Sequence, residues 1–351
     1  MWVMDEEGLP IVDLAGSPRE RGQTHGKVLR WQIARGLERW EAQVRKDTGR
    51  ALADVVQEFH MATSFAAAIR RWTPELLEEV RGIAKGSGFD YDTILAYNFL
   101  DEWSWFARQR LRMKAAPTGC SAIGLRRGTG GHPVTAQTHD LDASEQELLA
   151  ILRIHGTNGI RVISLTVGGV VAMSGCNDRG ISINCNQLAN GLPHSVAGLP
   201  VAFLLRGVLD QADFAAARRF IEEVPHASGQ NYVLGGPQDV CDLECSAQAV
   251  VEVDAGSPVV LHTNHPLVQP DLLTPEASAE SRARLAFLES RRPILGSMRD
   301  VRDALESPPI CRHPGTVAAV ASELSLPPRV FVTAGPPDSH PWRQVPFGEG
   351  V

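Results

Sequence analysis

Residues 119–140 read GCSAIGLRRGTGGHPVTAQTHD, and this stretch predicts a β-hairpin. Residues 121–125 and 134–137 have the apolar and β-branched character of strands. The glycines within 128–131 supply the permissive backbone that a reversal between the strands needs. Pairing across this turn places Cys120 opposite residues 138–140. We therefore expect a thiol, a hydroxyl and a carboxylate together at one end of the hairpin.

Composition and charge limit the class of protein. The chain has 351 residues, of which 43% are hydrophobic, enough to bury a core without metal or disulfide support. Its net charge of −7, from 41 acidic and 34 basic residues, provides no basic stripe for nucleic acid. No stretch reaches the roughly 20 consecutive apolar residues of a membrane-spanning helix. We therefore expect neither nucleic acid nor a membrane as a partner.

The six cysteines are scattered along the chain, at positions 120, 176, 185, 241, 245 and 311, unlike those of a disulfide scaffold. Residues 1–6 lack a basic segment followed by an apolar run. Both features favour a cytoplasmic protein. Cys241 and Cys245 lie four residues apart without a second close pair, so we expect them in the core. We expect no metal and no cofactor.

The pattern of the chain changes at residue 117. Helical periodicity runs from residue 17 to about 108, with start signals at Ser17-Pro18 and Thr73-Pro74 and a final helix over 92–106. A meandering antiparallel sheet is then expected, with strands at 121–125, 133–137, 148–155, 160–166, 170–174 and 180–185, followed by strands at 231–235, 241–245, 249–253, 259–262, 317–323 and 330–333. Further helices are expected at 203–223, 276–291 and 297–306, and a proline-rich surface tail at 336–346. Strand runs that alternate with helices indicate an α+β fold, in which helices cover stacked sheets.

Cys120 is the candidate nucleophile. A thiol of ordinary pKa, near 8.5, is only a few per cent ionised at neutral pH and therefore needs a base. His139 lies opposite Cys120 in the predicted hairpin, but strand alternation puts His139 and Asp140 on opposite faces. Only one of them can share the side of the cysteine, and the residues alone leave the choice open.

A second candidate base is the α-amine that Cys120 would gain if the Gly119–Cys120 bond were cut. An α-amine has a pKa near 7.7 to 8, so nucleophile and base would then belong to one residue. The lead-in Pro117-Thr118-Gly119 suits such a cleavage, because glycine permits unusual backbone and leaves its carbonyl open to the thiol. An ordinary loop before a strand has the same composition.

Several motifs, in shared order, resemble the acyl-coenzyme A:6-aminopenicillanic acid acyltransferase family, the cysteine branch of the N-terminal nucleophile hydrolases and a relative of the choloylglycine hydrolases. The motifs are residues 16–22 (GSPRERG), 25–26 (HG), 79–84 (EVRGIA), 119–121 (GCS), 137–140 (QTHD), 180–186 (GISINCN), 262–265 (HTNH), 310–313 (ICRH) and 316–318 (TVA). The resemblance implies a four-layer αββα sandwich with an N-terminal helical segment. It also implies self-cleavage into residues 1–119 and 120–351, which remain together as one domain.

The resemblance assigns the central roles residue by residue. Cys120 is the nucleophile of self-cleavage at the Gly119–Cys120 bond and afterwards the catalytic N-terminal nucleophile. Asp140 corresponds to the acid that orients the new amine. Asn264 corresponds to an oxyanion-hole donor, a role that requires a fixed neutral N–H group.

Two supporting positions follow from the same resemblance. Asn186, with Asn184 as the second choice, matches an asparagine beside the pocket of related hydrolases. His139 stands where the family has an aromatic residue before the acid, which alters pocket polarity or assists proton transfer.

The chain departs from the family near its closing strand. The penicillin enzyme has an arginine shortly before that strand, and here the stretch is shortened so that His313 or Gly315 falls near the place. Arg312 is the candidate substitute.

The expected function is hydrolysis of a small N-acyl amide through a thioester on Cys120. An amine in place of water would give acyl transfer, and an acyl thioester is an alternative acyl donor. The expected protein partner is the chain's own cleaved segment, as a heterodimer. Two alternatives remain: a catalytically silent relative that serves as a binding module, and an uncleaved Cys-His-Asp hydrolase that uses His139.

Overall fold

The computed structural model describes residues 2–4, 8–113, 119–188, 194–268 and 279–348. Pro117 and Thr118 of the lead-in, and residues 276–278 of one expected helix, lie outside the described residues. Within the described ranges the α-helices are α1 Pro18–Val28, α2 Arg30–Thr48, α3 Leu52–Ala62, α4 Phe65–Trp72, α5 Pro74–Ser87, α6 Tyr91–Tyr97, α7 Leu100–Leu111, α8 Val201–Leu209, α9 Phe214–Glu223, α10 Ala279–Arg291 and α11 Met298–Leu305. In the same part of the chain, no helix is long and apolar enough to cross a membrane.

The described strands form two sheets. Their bounds are β1 Trp2–Met4, β2 Pro10–Leu14, β3 Gly119–Leu125, β4 Val134–Asp140, β5 Leu149–His155, β6 Arg161–Val167, β7 Ser174–Asn177, β8 Ser182–Gln187, β9 Gln230–Gly235, β10 Val240–Cys245, β11 Val250–Val253, β12 Val259–His262, β13 Thr316–Glu323, β14 Arg329–Thr333 and β15 Arg343–Val345. The nine-stranded sheet has the order β1-β2-β5-β6-β7-β8-β9-β10-β11, and the six-stranded sheet has the order β12-β3-β4-β13-β14-β15. The expected meander is therefore divided, because β3–β4 and β5–β8 belong to different sheets.

The sheets stack face to face, with helices on both outer sides. Ala122 of β3 and Val233 of β9 meet in an apolar cluster between the sheets. On the other face of the six-stranded sheet, Ile123 packs with Leu288 of α10 and Val301 of α11. Helices α1, α8 and α9 contact the nine-stranded sheet, and α2–α7 extend the same core outward. The four-layer αββα sandwich is thus confirmed.

Helices α1 and α5 pack with their backbones almost in contact, which only glycine allows. A Cβ atom on Gly22 would lie 1.9 Å from the Glu79 carbonyl oxygen, and one on Gly82 would lie 2.3 Å from that of Arg19. The expected start signals are confirmed, since α1 begins at Pro18 with a Ser17 capping box and α5 begins at Pro74.

The segment that precedes Cys120 is helical but also contributes strands. Strand β2 pairs in parallel with β5, with Val12 opposite Leu152. At the other end of the chain, β15 pairs with β14. The expectation of a surface tail over 336–346 is therefore wrong, because residues 343–345 complete the six-stranded sheet.

Three further expectations need correction. The helix expected over 92–106 is two helices, α6 and α7. The helix expected over 203–223 is also two, α8 and α9, because Asp213 caps the start of α9 by accepting a hydrogen bond from Ala216 N. No strand covers 170–173. There, Asn98 bonds Gly169 O and Val171 N, so these backbone groups are satisfied by a side chain instead of a ladder.

Candidate active site

The hairpin has the expected register at its open end. Cys120 pairs with His139 and Gly119 pairs with Asp140. Residues directly opposite in an antiparallel pair project from the same face. Cys120 and His139 therefore share the face that Ala122 turns towards the nine-stranded sheet, whereas Asp140 projects from the helix-covered face. This settles the point that strand alternation alone had left open.

Cys120 is half-buried at the beginning of β3. Burial, followed by the negative charge of Asp140, raises the pKa of the Cys120 thiol to about 12, although hydrogen bonds from the Asp140 backbone and the Gln137 side chain act in the opposite direction. In the uncleaved chain the thiol is therefore protonated at neutral pH. It needs a base before it can act as a nucleophile.

Asn264 contacts the backbone at Cys120. The Cys120 N–H donates to Asn264 Oδ1 at 2.7 Å, and Asn264 Nδ2 donates to the Gln187 carbonyl at 3.0 Å. The acceptor end of the carboxamide thus faces Cys120. Its nitrogen carries two N–H groups, of which Gln187 takes one. The residue expected to donate to an oxyanion thus lies beside Cys120, and its oxygen accepts a hydrogen bond from the Cys120 backbone nitrogen.

Arg284 is a site residue that the sequence reasoning missed. This guanidinium from α10 is only 3% exposed and donates to Cys120 O at 2.6 Å, to Ser121 Oγ at 2.8 Å and to Asn264 Oδ1 at 2.7 Å. It joins strand β3 to the loop that carries Asn264. One signal was present, because Ser281, Arg284 and Leu288 follow the three-and-four spacing of a buried helix face.

Asp140 is fully buried and held from two sides. Arg312 Nη2 lies 3.1 Å from Asp140 Oδ2, and Thr316 Oγ1 donates to Oδ1 at 2.7 Å. Burial raises the pKa of Asp140 above its ordinary value, against the opposing effect of Arg312 and Thr316. Arg312 thus reaches the site, whereas His313 points to Asp338.

Gly119 occupies a space bounded by charged groups. A Cβ atom at this position would lie 2.9 Å from Arg312 Nη2, 3.2 Å from Arg284 Nη2 and 3.3 Å from Asp140 Oδ2. Glycine therefore lets two guanidinium groups and a carboxylate approach the residue before Cys120.

His139 is engaged on the opposite face from Asp140. Its Nε2 lies 3.0 Å from Ser174 Oγ, and burial lowers the pKa of His139 to about 4. The imidazole is therefore neutral at pH 7. The hydrogen bonds of Asp140 go to Arg312 and Thr316, so these contacts do not assemble the Cys-His-Asp arrangement.

Asn186 lies on β8 opposite Asn231 of β9. It shares the strand face of Asn184, whose partner Val233 packs between the sheets, so Asn186 faces the sheet that carries Cys120. Asn186 is fully buried, and among the described residues neither end of its carboxamide has a hydrogen-bond partner. Buried amides are normally paired, which makes this group a candidate for contact with a ligand.

Cys241 and Cys245 are buried in the core, as expected.

The chain has two stacked sheets between helical layers, which is the fold of the N-terminal nucleophile class of acyltransferases and amidohydrolases. A profile of the acyl-coenzyme A:6-aminopenicillanic acid acyl-transferase family matches residues 128–312, more than half of the chain, and the chain belongs to that family.

Individual relatives are distant. The acyl-coenzyme A:6-aminopenicillanic-acid-acyltransferase 40 kDa form of Emericella nidulans is 24% identical over 260 residues, covering 73% of this chain and 69% of the relative. Among solved structures, the Caenorhabditis elegans N-acylethanolamine-hydrolyzing acid amidase ortholog is 16% identical, with a TM-score of 0.47 over 59% of this chain and 94% of that one. Penicillin V acylase from Agrobacterium tumefaciens is 14% identical, with a TM-score of 0.38 over 61% and 82% of the two chains.

Proposed function

We propose that this chain is a self-processing amidohydrolase or acyltransferase that acts on a small N-acyl amide through a thioester on Cys120. The observation that carries the proposal is the surroundings of the Gly119–Cys120 linkage. The Cys120 N–H donates to Asn264, and the space of a Gly119 Cβ is bounded by Asp140 and two guanidinium groups. Family membership supports the same reaction class.

Self-cleavage begins with attack of the Cys120 sulfur on the carbonyl carbon of Gly119. The carbon–nitrogen bond breaks, the nitrogen takes the proton that the thiol gives up and becomes the α-amine of Cys120, and the acyl group of Gly119 remains on sulfur as a thioester. Water then hydrolyses the thioester, giving the Gly119 carboxylate and the free thiol. The Arg312 and Arg284 guanidinium groups beside Gly119 are suited to stabilising negative charge that develops on the Gly119 carbonyl oxygen.

In the cleaved protein the α-amine replaces the backbone N–H that Asn264 Oδ1 accepts at 2.7 Å. An amine of ordinary pKa near 8 takes the thiol proton at neutral pH far more readily than an ionised carboxylate does. The sulfur attacks the substrate amide, and the second N–H of Asn264 donates to the oxyanion. The protonated α-amine then gives its proton to the substrate nitrogen, and the amine product leaves. Water or an acceptor amine then takes the acyl group, and an acyl thioester could load the same sulfur.

The two products of cleavage, residues 1–119 and 120–351, stay together as a heterodimer. Strand β2 of the first is hydrogen-bonded to β5 of the second inside the nine-stranded sheet. Loss of one peptide bond at the head of β3 leaves this pairing intact.

The alternatives have less support. An uncleaved hydrolase with a Cys-His-Asp arrangement needs His139 oriented by Asp140, but His139 bonds Ser174 and Asp140 bonds Arg312. A silent binding module would not need the two guanidinium groups and the carboxylate that approach Gly119 directly before Cys120.

Intact mass spectrometry of the purified full chain tests the proposal. Wild-type protein should give two masses, one of them beginning at Cys120, and Cys120→Ala should give a single uncleaved mass. Cys176→Ala, which removes a buried thiol of β7, is the matched control and should be cleaved like the wild type. Fragments from Cys120→Ala, or one full-length mass from wild-type protein that releases amine from N-acyl amides, would refute self-processing at Cys120.

A further inference from the structure

Three side chains with metal-binding chemistry converge beside the turn that carries Arg312. One ligand-type atom each from Cys311, His313 and Asp338 lies within 4.8 Å of the other two. His313 Nε2 lies 2.8 Å and 2.9 Å from the two carboxylate oxygens of Asp338. We propose that Cys311, His313 and Asp338 bind a divalent transition-metal ion of the zinc type, with water in the fourth position. This proposal does not depend on the proposed function.

The donor set selects the class of ion. Thiolate, imidazole and carboxylate together suit zinc, whereas magnesium and calcium prefer oxygen ligands alone. Bonds of about 2.0 to 2.3 Å place the ligand atoms of a tetrahedral zinc site roughly 3.3 to 3.8 Å apart. The spacings among the three side chains run from 2.8 Å, between His313 Nε2 and Asp338 Oδ2, to no more than 4.8 Å, and so include that range.

The three ligands differ in exposure, as expected for a metal site that an ion enters from solvent. Cys311 is 4% exposed, while the side chains of His313 and Asp338 are 54% and 35% exposed. The thiol provides a fixed inner ligand, and the outer two leave a path for the ion and room for a water molecule.

The backbone on both sides is braced before any ion binds. Arg312 N donates to Thr316 Oγ1 at 3.0 Å, and Thr316 N donates to Arg312 O at 3.1 Å. In the facing loop, Ser339 N and His340 N both donate to Pro336 O, at 3.1 Å and 3.0 Å. Pre-positioned ligands reduce the conformational entropy that is lost on binding.

Binding exchanges one set of bonds for another. The Cys311 thiol proton goes to solvent as the sulfur–metal bond forms. The Nε2 proton that His313 donates to Asp338 is given up to solvent while Nδ1 carries the ring proton, so that the Nε2 lone pair can bind the ion. No oxidation or reduction is involved. Because Arg312 lies between two of the ligands and contacts Asp140, a bound ion would also restrain the turn beside Gly119.

The test uses the full-length Cys120→Ala chain, which has no thiol at position 120 to compete for metal. Co²⁺ should bind with a stoichiometry of one and give a thiolate-to-cobalt absorption band, and Zn²⁺ should displace it. Cys311→Ser should abolish the band. His313→Ala and Asp338→Asn should each weaken Zn²⁺ binding at least tenfold, and His340→Ala in the same loop is the matched control with unchanged binding.

Folding of each variant is checked by its thermal unfolding without metal. Zn²⁺ should raise the unfolding temperature of the parent chain but not that of His313→Ala, an exposed position whose replacement leaves the core intact. Absence of stoichiometric Zn²⁺ binding at micromolar concentration, or cobalt absorption that survives Cys311→Ser, would overturn the assignment.

Discussion

The substitution Arg284→Gln removes the cation that joins α10, β3 and the Asn264 loop. Arg284 donates three hydrogen bonds, to Cys120 O, Ser121 Oγ and Asn264 Oδ1. A hydrogen bond from a charged group contributes about 1.5 to 3 kcal/mol. The shorter glutamine can keep at most one of the three, so the local loss is about 3 to 6 kcal/mol. The Asn264 side chain then keeps its contacts with Cys120 N and Gln187 O, but Oδ1 loses its bond from the guanidinium.

Arg284 holds Cys120 and Asn264 in place through these bonds, and a misplacement of reacting groups by about 1 Å can slow a reaction by about 100-fold. We therefore expect Arg284→Gln to fold but to lose at least 100-fold in the rate of self-cleavage, measured as the cleaved fraction by intact mass over time. Amine release from N-acyl amides should fall in the cleaved fraction as well. Arg282→Gln changes the same charge on an exposed turn of the same helix and is the matched control.

The reasoning fails if folded Arg284→Gln is cleaved within threefold of the rate of Arg282→Gln. Arg284→Lys gives a graded check, because lysine keeps the cation but cannot reach several acceptors with one planar group. Its rate should lie between those of wild type and Arg284→Gln.

Three further predictions concern other parts of the molecule. Burial and the neighbouring Asp101 raise the pKa of Glu102 from 4.5 to about 8, so the unfolding free energy should fall, on the order of a few kcal/mol, as the pH rises between those values. Glu102→Gln should flatten that slope in urea titrations, and an unchanged slope would contradict the assignment. Gly82→Ala places a Cβ atom 2.3 Å from the Arg19 carbonyl oxygen and should lower the free energy of unfolding by about 3 kcal/mol, seen as a lower urea midpoint. An unchanged midpoint would show that α1 and α5 can move apart without loss of stability. Gly119→Ala crowds the guanidinium groups beside Gly119 and should slow self-cleavage at least tenfold, measured by intact mass. Cleavage at the wild-type rate would show that the absence of a side chain at this position does not matter for cleavage.

The hairpin was predictable because its determinants are local. Glycines at 128–131 fix the turn, and strand pairing then fixes what lies opposite Cys120. Direct opposition in the antiparallel ladder also places His139 on the cysteine's face, but the ladder register has to be known to within one residue before that inference can be made.

The rest of the site depends on contacts between distant segments. Arg284 lies 164 positions after Cys120, and an arginine on an amphipathic helix is more often solvated than buried. Strand β2 is short and begins at Pro10, and β15 is a three-residue strand between Pro341 and Pro346. Their pairing therefore depends on the neighbouring strands of each sheet more than on their own residues.

If the chain is cleaved as proposed, the parallel pairing of β2 with β5 has a consequence for the refolding of the two fragments. Unfolding an intact chain is unimolecular and can be reversed at any dilution. After cleavage, refolding requires the two fragments to associate, so its extent depends on their concentration. When the fragments are apart, the edge of β5 that β2 covers is unpaired, and an unpaired strand edge promotes aggregation. The uncleaved Cys120→Ala protein should regain its circular dichroism after heating and cooling. The stability of a cleaved protein would instead be kinetic, set by how slowly it unfolds.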